Sequence, residues 1–98
     1  MTAIVWDPKD PLETVTGELD WSDDLAQGDA VSASTWAIVT TDGGNLAIVD
    51  GTVFASPFAQ VKVSGGTDKF NYELRNTITT AAGETLVAVV MLPVRAKR

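Results

Sequence analysis

An all-β fold of antiparallel strands is what this chain predicts, on three observations. First, residues 69–78 alternate. Phe70, Tyr72, Leu74 and Ile78 take even positions, while Lys69, Asn71, Glu73, Arg75 and Thr77 take odd ones. Period two marks a strand with one buried and one wet face. Second, that stretch sits in a run of strand, glycine corner, long strand, tight turn and closing strand. The pieces are Phe58 to Val63, Ser64-Gly65-Gly66-Thr67, the alternating stretch, Ala81-Ala82-Gly83, and Glu84 to Val94. Third, no stretch carries helical periodicity, and turn signals recur at the spacing of a sandwich. The expectation is an immunoglobulin-like antiparallel β-sandwich of about seven strands over residues 13–98, preceded by an extended arm over residues 1–12.

The arm contains an Ile4-Val5-Trp6 cluster followed by Asp7-Pro8 and Asp10-Pro11. Each proline biases its predecessor to extended geometry and withholds an amide donor. Trp6 is either an anchor on a partner, since large aromatics dominate interface hot spots, or a ring folded back over the domain's own sheet. Val15, Leu19 and Trp21 share one parity of the first sandwich strand, with Gly17 a candidate bulge. Ser22 to Leu25 reads as a turn, with Ser22 a plausible cap. Ala30 to Thr40 is the second strand, its parity shift implying a bulge around Ser34-Thr35 or burial on both faces, with Trp36 expected in the core. Thr41 to Asn45 is a turn. Leu46 to Ile48 and Val53-Phe54 are short strands flanking an Asp50-Gly51 hairpin signal.

Composition bounds the function. Ninety-eight residues with 45% hydrophobic content make one domain with a packed core. There is no cysteine and no histidine. Disulfides, thiolate metal sites, the commonest general base and the commonest transition-metal ligand are therefore excluded. No apolar run approaches the ~18–20 residues of a membrane span, and Met1 to Asp10 lacks the regions of a signal peptide. The expectation is cytosolic synthesis. The net charge of −6 is uneven: residues 1–50 hold ten carboxylates against one lysine, and residues 51–98 hold three against six Lys or Arg. An acidic chain is a poor nucleic-acid ligand. Head-to-tail contact between copies, acidic surface against basic surface, is one use of such an imbalance.

Catalytic and metal motifs fare poorly. Asp20, Asp23 and Asp24 could offer oxygens to calcium, but the loop lacks the calcium-loop pattern, and capping and solubility explain the cluster more simply. The serines have no histidine to activate them. Ser64-Gly65-Gly66-Thr67 lacks the lysine of a phosphate loop and precedes a strand. No catalytic residue, metal or cofactor is expected. The last strand is more telling. Leu86, Ala88, Val90, Leu92 and Val94 form one face and Val87, Val89 and Met91 the other, yet a two-layer sandwich needs only one of these for its core. The outer stripe is covered by the arm, covered by another subunit, or exposed and functional. The expected partner contacts are Trp6, the stripe Val87, Val89 and Met91, and the basic C-terminus with Arg95 and Lys97.

The segment from Gly17 to Trp36, with its D-W-S-x-x-L-x-x-G-D string, and the segment from Val61 to Thr85, with its S-G-G-T corner and Y-x-x-x-N-x-I-T-T strand, resemble a family of small tailed-phage and prophage virion proteins. The opening Trp6 to Pro11 is similar to a W-x-x-K-D-P arm of such proteins. Residues 45–57 match the pattern poorly. The resemblance implies an immunoglobulin-like virion component that binds other phage structural proteins as a fibre–tail adaptor or head–tail (neck) component; the charge imbalance and the apolar stripe add a homo-oligomer as a further candidate partner. It implies no catalytic or metal residues, and no nucleic-acid or membrane partner is expected. Capsid decoration is one alternative. A carbohydrate- or surface-binding module is another, and it requires at least two coplanar exposed aromatics on one face.

Overall fold

From Asn71 on, the alternating stretch forms an inner strand of the larger of two sheets; Lys69, with a φ of 70°, and Phe70 belong to the turn before it. A computed structural model describes residues 4–39 and 45–97. The turn expected from Thr41 to Asn45 lies outside the described residues except for Asn45, as does the terminal Arg98. The strands are β1 (Ile4–Val5), β2 (Thr14–Asp20), β3 (Val31–Ile38), β4 (Leu46–Asp50), β5 (Phe54–Ala55), β6 (Phe58–Gly65), β7 (Asn71–Thr80) and β8 (Thr85–Pro93). One sheet has the order β1-β8-β7-β3 and the other β2-β6-β4, with β5 also on β6. No helix occurs among the described residues. The result is the expected all-β sandwich of two sheets. Its groupings β8-β7-β3 and β2-β6-β4 resemble the G-F-C and B-E-D neighbours of an immunoglobulin domain.

Parity decides burial. The even residues of β7, Tyr72, Leu74, Asn76, Ile78 and Thr80, are buried, as are Ala88, Val90 and Leu92 of β8. From the facing sheet come Leu19 of β2, Leu46 of β4, and Ala59, Val61 and Val63 of β6, with Trp21 just beyond β2. Fully burying each of the larger apolar side chains contributes about 1.5–3 kcal/mol. The tight turn after β7 is closed by Gly83 N–H donating to the Thr80 carbonyl at 2.9 Å, and Gly83 takes a φ of 92° that favours glycine.

One polar group lies at the centre. Asn76 is fully buried on β7. Its Oδ1 accepts from Trp21 Nε1 at 2.9 Å, and its Nδ2 donates to Ser34 Oγ and to the Thr35 carbonyl, each at 2.9 Å. Buried polar groups cost little only when satisfied in this way. The Tyr72 hydroxyl accepts from the Thr67 N–H at 2.8 Å, which ties the glycine corner to β7.

Three local expectations are corrected. The Asp50-Gly51 signal does not join β4 and β5 into a hairpin, because both pair with β6 instead. The irregularity in β3 falls between Val31 and Ala33, not at Ser34-Thr35. Gly17 is no bulge: β2 and β6 pair in unbroken register from Thr14 to Asp20. Gly17 is there for another reason, since a Cβ on it would run into the Trp6 ring.

Candidate partner-binding surface

The arm is built into the sandwich. The two prolines keep residues 7–11 from joining a central ladder, and the extended segment ahead of them pairs in parallel with β8, Ile4 beside Val90 and Val5 beside Met91. Trp6 N–H donates to the Met91 carbonyl at 2.9 Å, and Lys9 N–H to that of Pro93 at 3.0 Å. The Trp6 ring turns inward, half-buried, against Gly17. It packs on buried core residues of the two sheets and meets Trp36 with ring centroids 5.7 Å apart. Of the two readings of Trp6, the fold-back is the geometry observed.

Lys9 pins the arm. It is only 1% exposed, and its Nζ donates to the Gly65 carbonyl at 2.6 Å and to that of Asp10 at 2.8 Å. Burial pushes its pKa below the ordinary value, against the opposing pull of Glu13 and Asp10. The tail crosses the same place. Arg95 N–H donates to the Lys9 carbonyl at 2.8 Å, and Lys97 N–H donates to Asp10 Oδ2 at 2.9 Å. That last bond, then the one from Leu12, holds the Asp10 carboxyl below its usual range.

The expected contact residues therefore have different situations. Arg95 is half-buried, its guanidinium donating to Val94 O at 2.7 Å, Asn71 Oδ1 at 2.8 Å and Phe70 O at 3.3 Å. Lys97 is exposed and paired with Glu13 at 3.0 Å. Val87, Val89 and Met91 point away from the core, Val87 exposed and the other two half-buried. The arm does not cover them, because β1 extends the sheet edge to edge. It lengthens the stripe instead: Val5, in register with Met91, is 70% exposed. Beside the stripe on β7, Glu73 pairs with Met91, Arg75 with Val89 and Thr77 with Val87. The stripe was readable from alternation along β8. Val5 was not, because its place beside Met91 depends on a parallel pairing that no local pattern announces.

Two carboxylates near β2, Asp20 and Asp29, serve local structure. Asp20 Oδ1 accepts from the Ser22 N–H at 2.8 Å, and this bond holds its pKa down. Asp29 Oδ1 joins two loops by accepting from Ala30 N–H at 2.8 Å and from Ala82 N–H at 3.1 Å. Among the described residues no three Asp, Glu, His or Cys side chains converge as metal ligands would, and no helix is long and apolar enough to cross a membrane.

Fold and surface together define a small all-β sandwich protein with a pinned arm and an apolar outer stripe. The chain belongs to the podophage GP4 fiber-tail adaptor protein gp77 family, whose model matches residues 9–93. That is a family of phage virion structural proteins, as the motifs between Gly17 and Thr85 implied. No curated protein matches the chain.

Proposed function

We propose that the chain is a non-enzymatic adaptor that joins a fibre to the tail of a phage particle by protein–protein contact. The observation that carries this reading is the family match over residues 9–93. The lack of histidine and cysteine supports its non-enzymatic part. The contact surface on this reading is the outer face of the β1-β8-β7-β3 sheet, with Val5, Val87, Val89 and Met91 as its apolar centre; Lys97, held by Glu13, lies off this face beside β2. Trp6 and Arg95 act through position, the first by seating β1 and the second by fastening the end of β8 to β7. An apolar strip flanked by polar residues is the usual anatomy of such a contact. A sugar-binding reading has less support, because Phe54 is the one exposed aromatic among the described residues.

Particles assembled with a Val87→Asp/Val89→Asp double variant provide the test, with fibres counted by electron microscopy. Both side chains point outward, so the variant is expected to fold and to give tails without fibres. A folded variant that yields the normal number of fibres per tail overturns this choice of surface.

A further inference from the structure

The second sheet has an edge that no strand among the described residues covers. β2 pairs with β6 on one side only. Trp21 N–H donates to the Pro57 carbonyl at 2.9 Å, and Gln60 N–H, on the other side of β6, donates to Val53 O at 3.0 Å. Antiparallel ladders alternate, so the odd residues of β2 direct their backbone groups to β6. Thr14, Thr16, Glu18 and Asp20 direct theirs to the open side, where they have no backbone partner among the described residues. An exposed ladder of this kind is a template for one more strand.

The space beside that edge fits a strand. β1 lies in the other sheet, which leaves a seam between the arm and β2. One cavity of about 330 Å3 lies along residues 15–18, with Trp6, Val15 and Leu92 among its lining. A second, of about 370 Å3, continues along Leu19 and Asp20, with Ile4 and Ala88 as its apolar wall. Charge selects the occupant. Asp7, Glu13 and Glu18 line the first cavity and Asp20, Asp23 and Asp24 the second. Of the lysines there, Lys9 is buried and turned to backbone carbonyls, and Lys97 is held by Glu13. A second copy of this edge would bring carboxylates against carboxylates, so self-pairing is opposed.

We infer that the open edge of β2 docks an extended segment of another protein in which Lys or Arg alternates with apolar residues. The segment adds a strand to the β2-β6-β4 sheet, its apolar side chains entering the seam and its cations meeting the rim. This surface is separate from the outer face of the first sheet. Failure here leaves the adaptor reading standing, and fibre-less particles from the Val87→Asp/Val89→Asp variant say nothing about this edge.

The test uses the full chain and a short peptide alternating lysine and valine, about eight residues long to span β2, with a glutamate–valine peptide as control. Amide exchange is followed by NMR. The lysine–valine peptide is expected to slow exchange at Thr16 and Glu18, and the control to leave them unchanged. Thr16→Pro removes an outward N–H without breaking the β6 ladder, so it is expected to abolish binding. Glu18→Lys is expected to weaken it by about tenfold through like-charge contact. Unchanged exchange at Thr16 and Glu18 overturns the inference, as does equal binding of the control or undiminished binding to Thr16→Pro. If Thr16→Pro fails to fold, unchanged affinity in Glu18→Lys overturns it.

Discussion

At Asn76 the inward parity of β7 delivers an amide into a site bounded by Leu74, Ile78 and the Trp21 indole. Replacing it with alanine leaves the Trp21 N–H and the Ser34 hydroxyl without their partner in the interior. Each stranded group costs about 1–3 kcal/mol, so Asn76→Ala is expected to lose about 3 kcal/mol in denaturant unfolding. Gly17→Ala tests the opposite kind of fit. Its methyl meets the Trp6 ring, and overpacking of this sort costs about 1–3 kcal/mol. The loss should vanish in a Trp6→Ala background, which a double-mutant cycle measures. Lys9 gives a pH signature. Its folded pKa lies below the ordinary 10.5, chiefly through burial, so the unfolded chain binds more protons between those two values. Stability then rises with pH through that window. Melting temperatures of the protein, compared with Lys9→Met up to pH 10.5, should show this rise only where Lys9 is present.

At the scale of elements, β1 has only two residues, yet it closes one edge of the larger sheet and carries the Trp6 ring into the core. Deleting residues 1–9 removes that ring, the parallel pairing and the Lys9 clamp on Gly65 together. The expected result is a large fall in melting temperature with loss of a sharp, cooperative transition. A truncated chain that melts as the full chain does would show the arm to be a tether. The sequence was most informative where burial follows a short period: the parities of β7, β8 and the Val15, Leu19 and Trp21 side of β2 all appear as read. It was least informative where pairing is non-local. Asp50-Gly51 carries a hairpin signal, but β4 and β5 find the same third strand. Lys9 reads as a surface residue because lysine usually is one, and nothing local reveals that Gly65 waits for its ammonium. The outer stripe was legible for the same reason as β7. The open edge of β2 was not, since whether a strand lies at an edge is a property of topology.

Across the whole molecule, the acidic and basic halves of the sequence are not two halves in space. Where β2 ends and β7 turns into β8, the described charges are Asp20, Asp23, Asp24, Asp29 and Glu84, all negative. At the opposite end Lys9, Lys69, Arg95 and Lys97 mingle with Asp10, Glu13 and Asp68, and Lys97 is already paired. An acidic end without a clearly basic counterpart gives weak head-to-tail attraction, and copies carrying −6 each repel. Two models of self-association then predict opposite salt dependence. If complementary ends attract, salt should dissociate the assembly. If repulsion keeps the apolar outer faces apart, salt should promote association, since the screening length shrinks from about 10 Å at 0.1 M to about 3 Å at 1 M. Light scattering on a sizing column should therefore give a monomer near 10.4 kDa at low salt and a rising mass toward 1 M. Val87→Asp/Val89→Asp should suppress the rise. An oligomer at low salt that dissociates as salt is added would favour end-to-end contact and move self-association away from the Val5, Val87, Val89 and Met91 face.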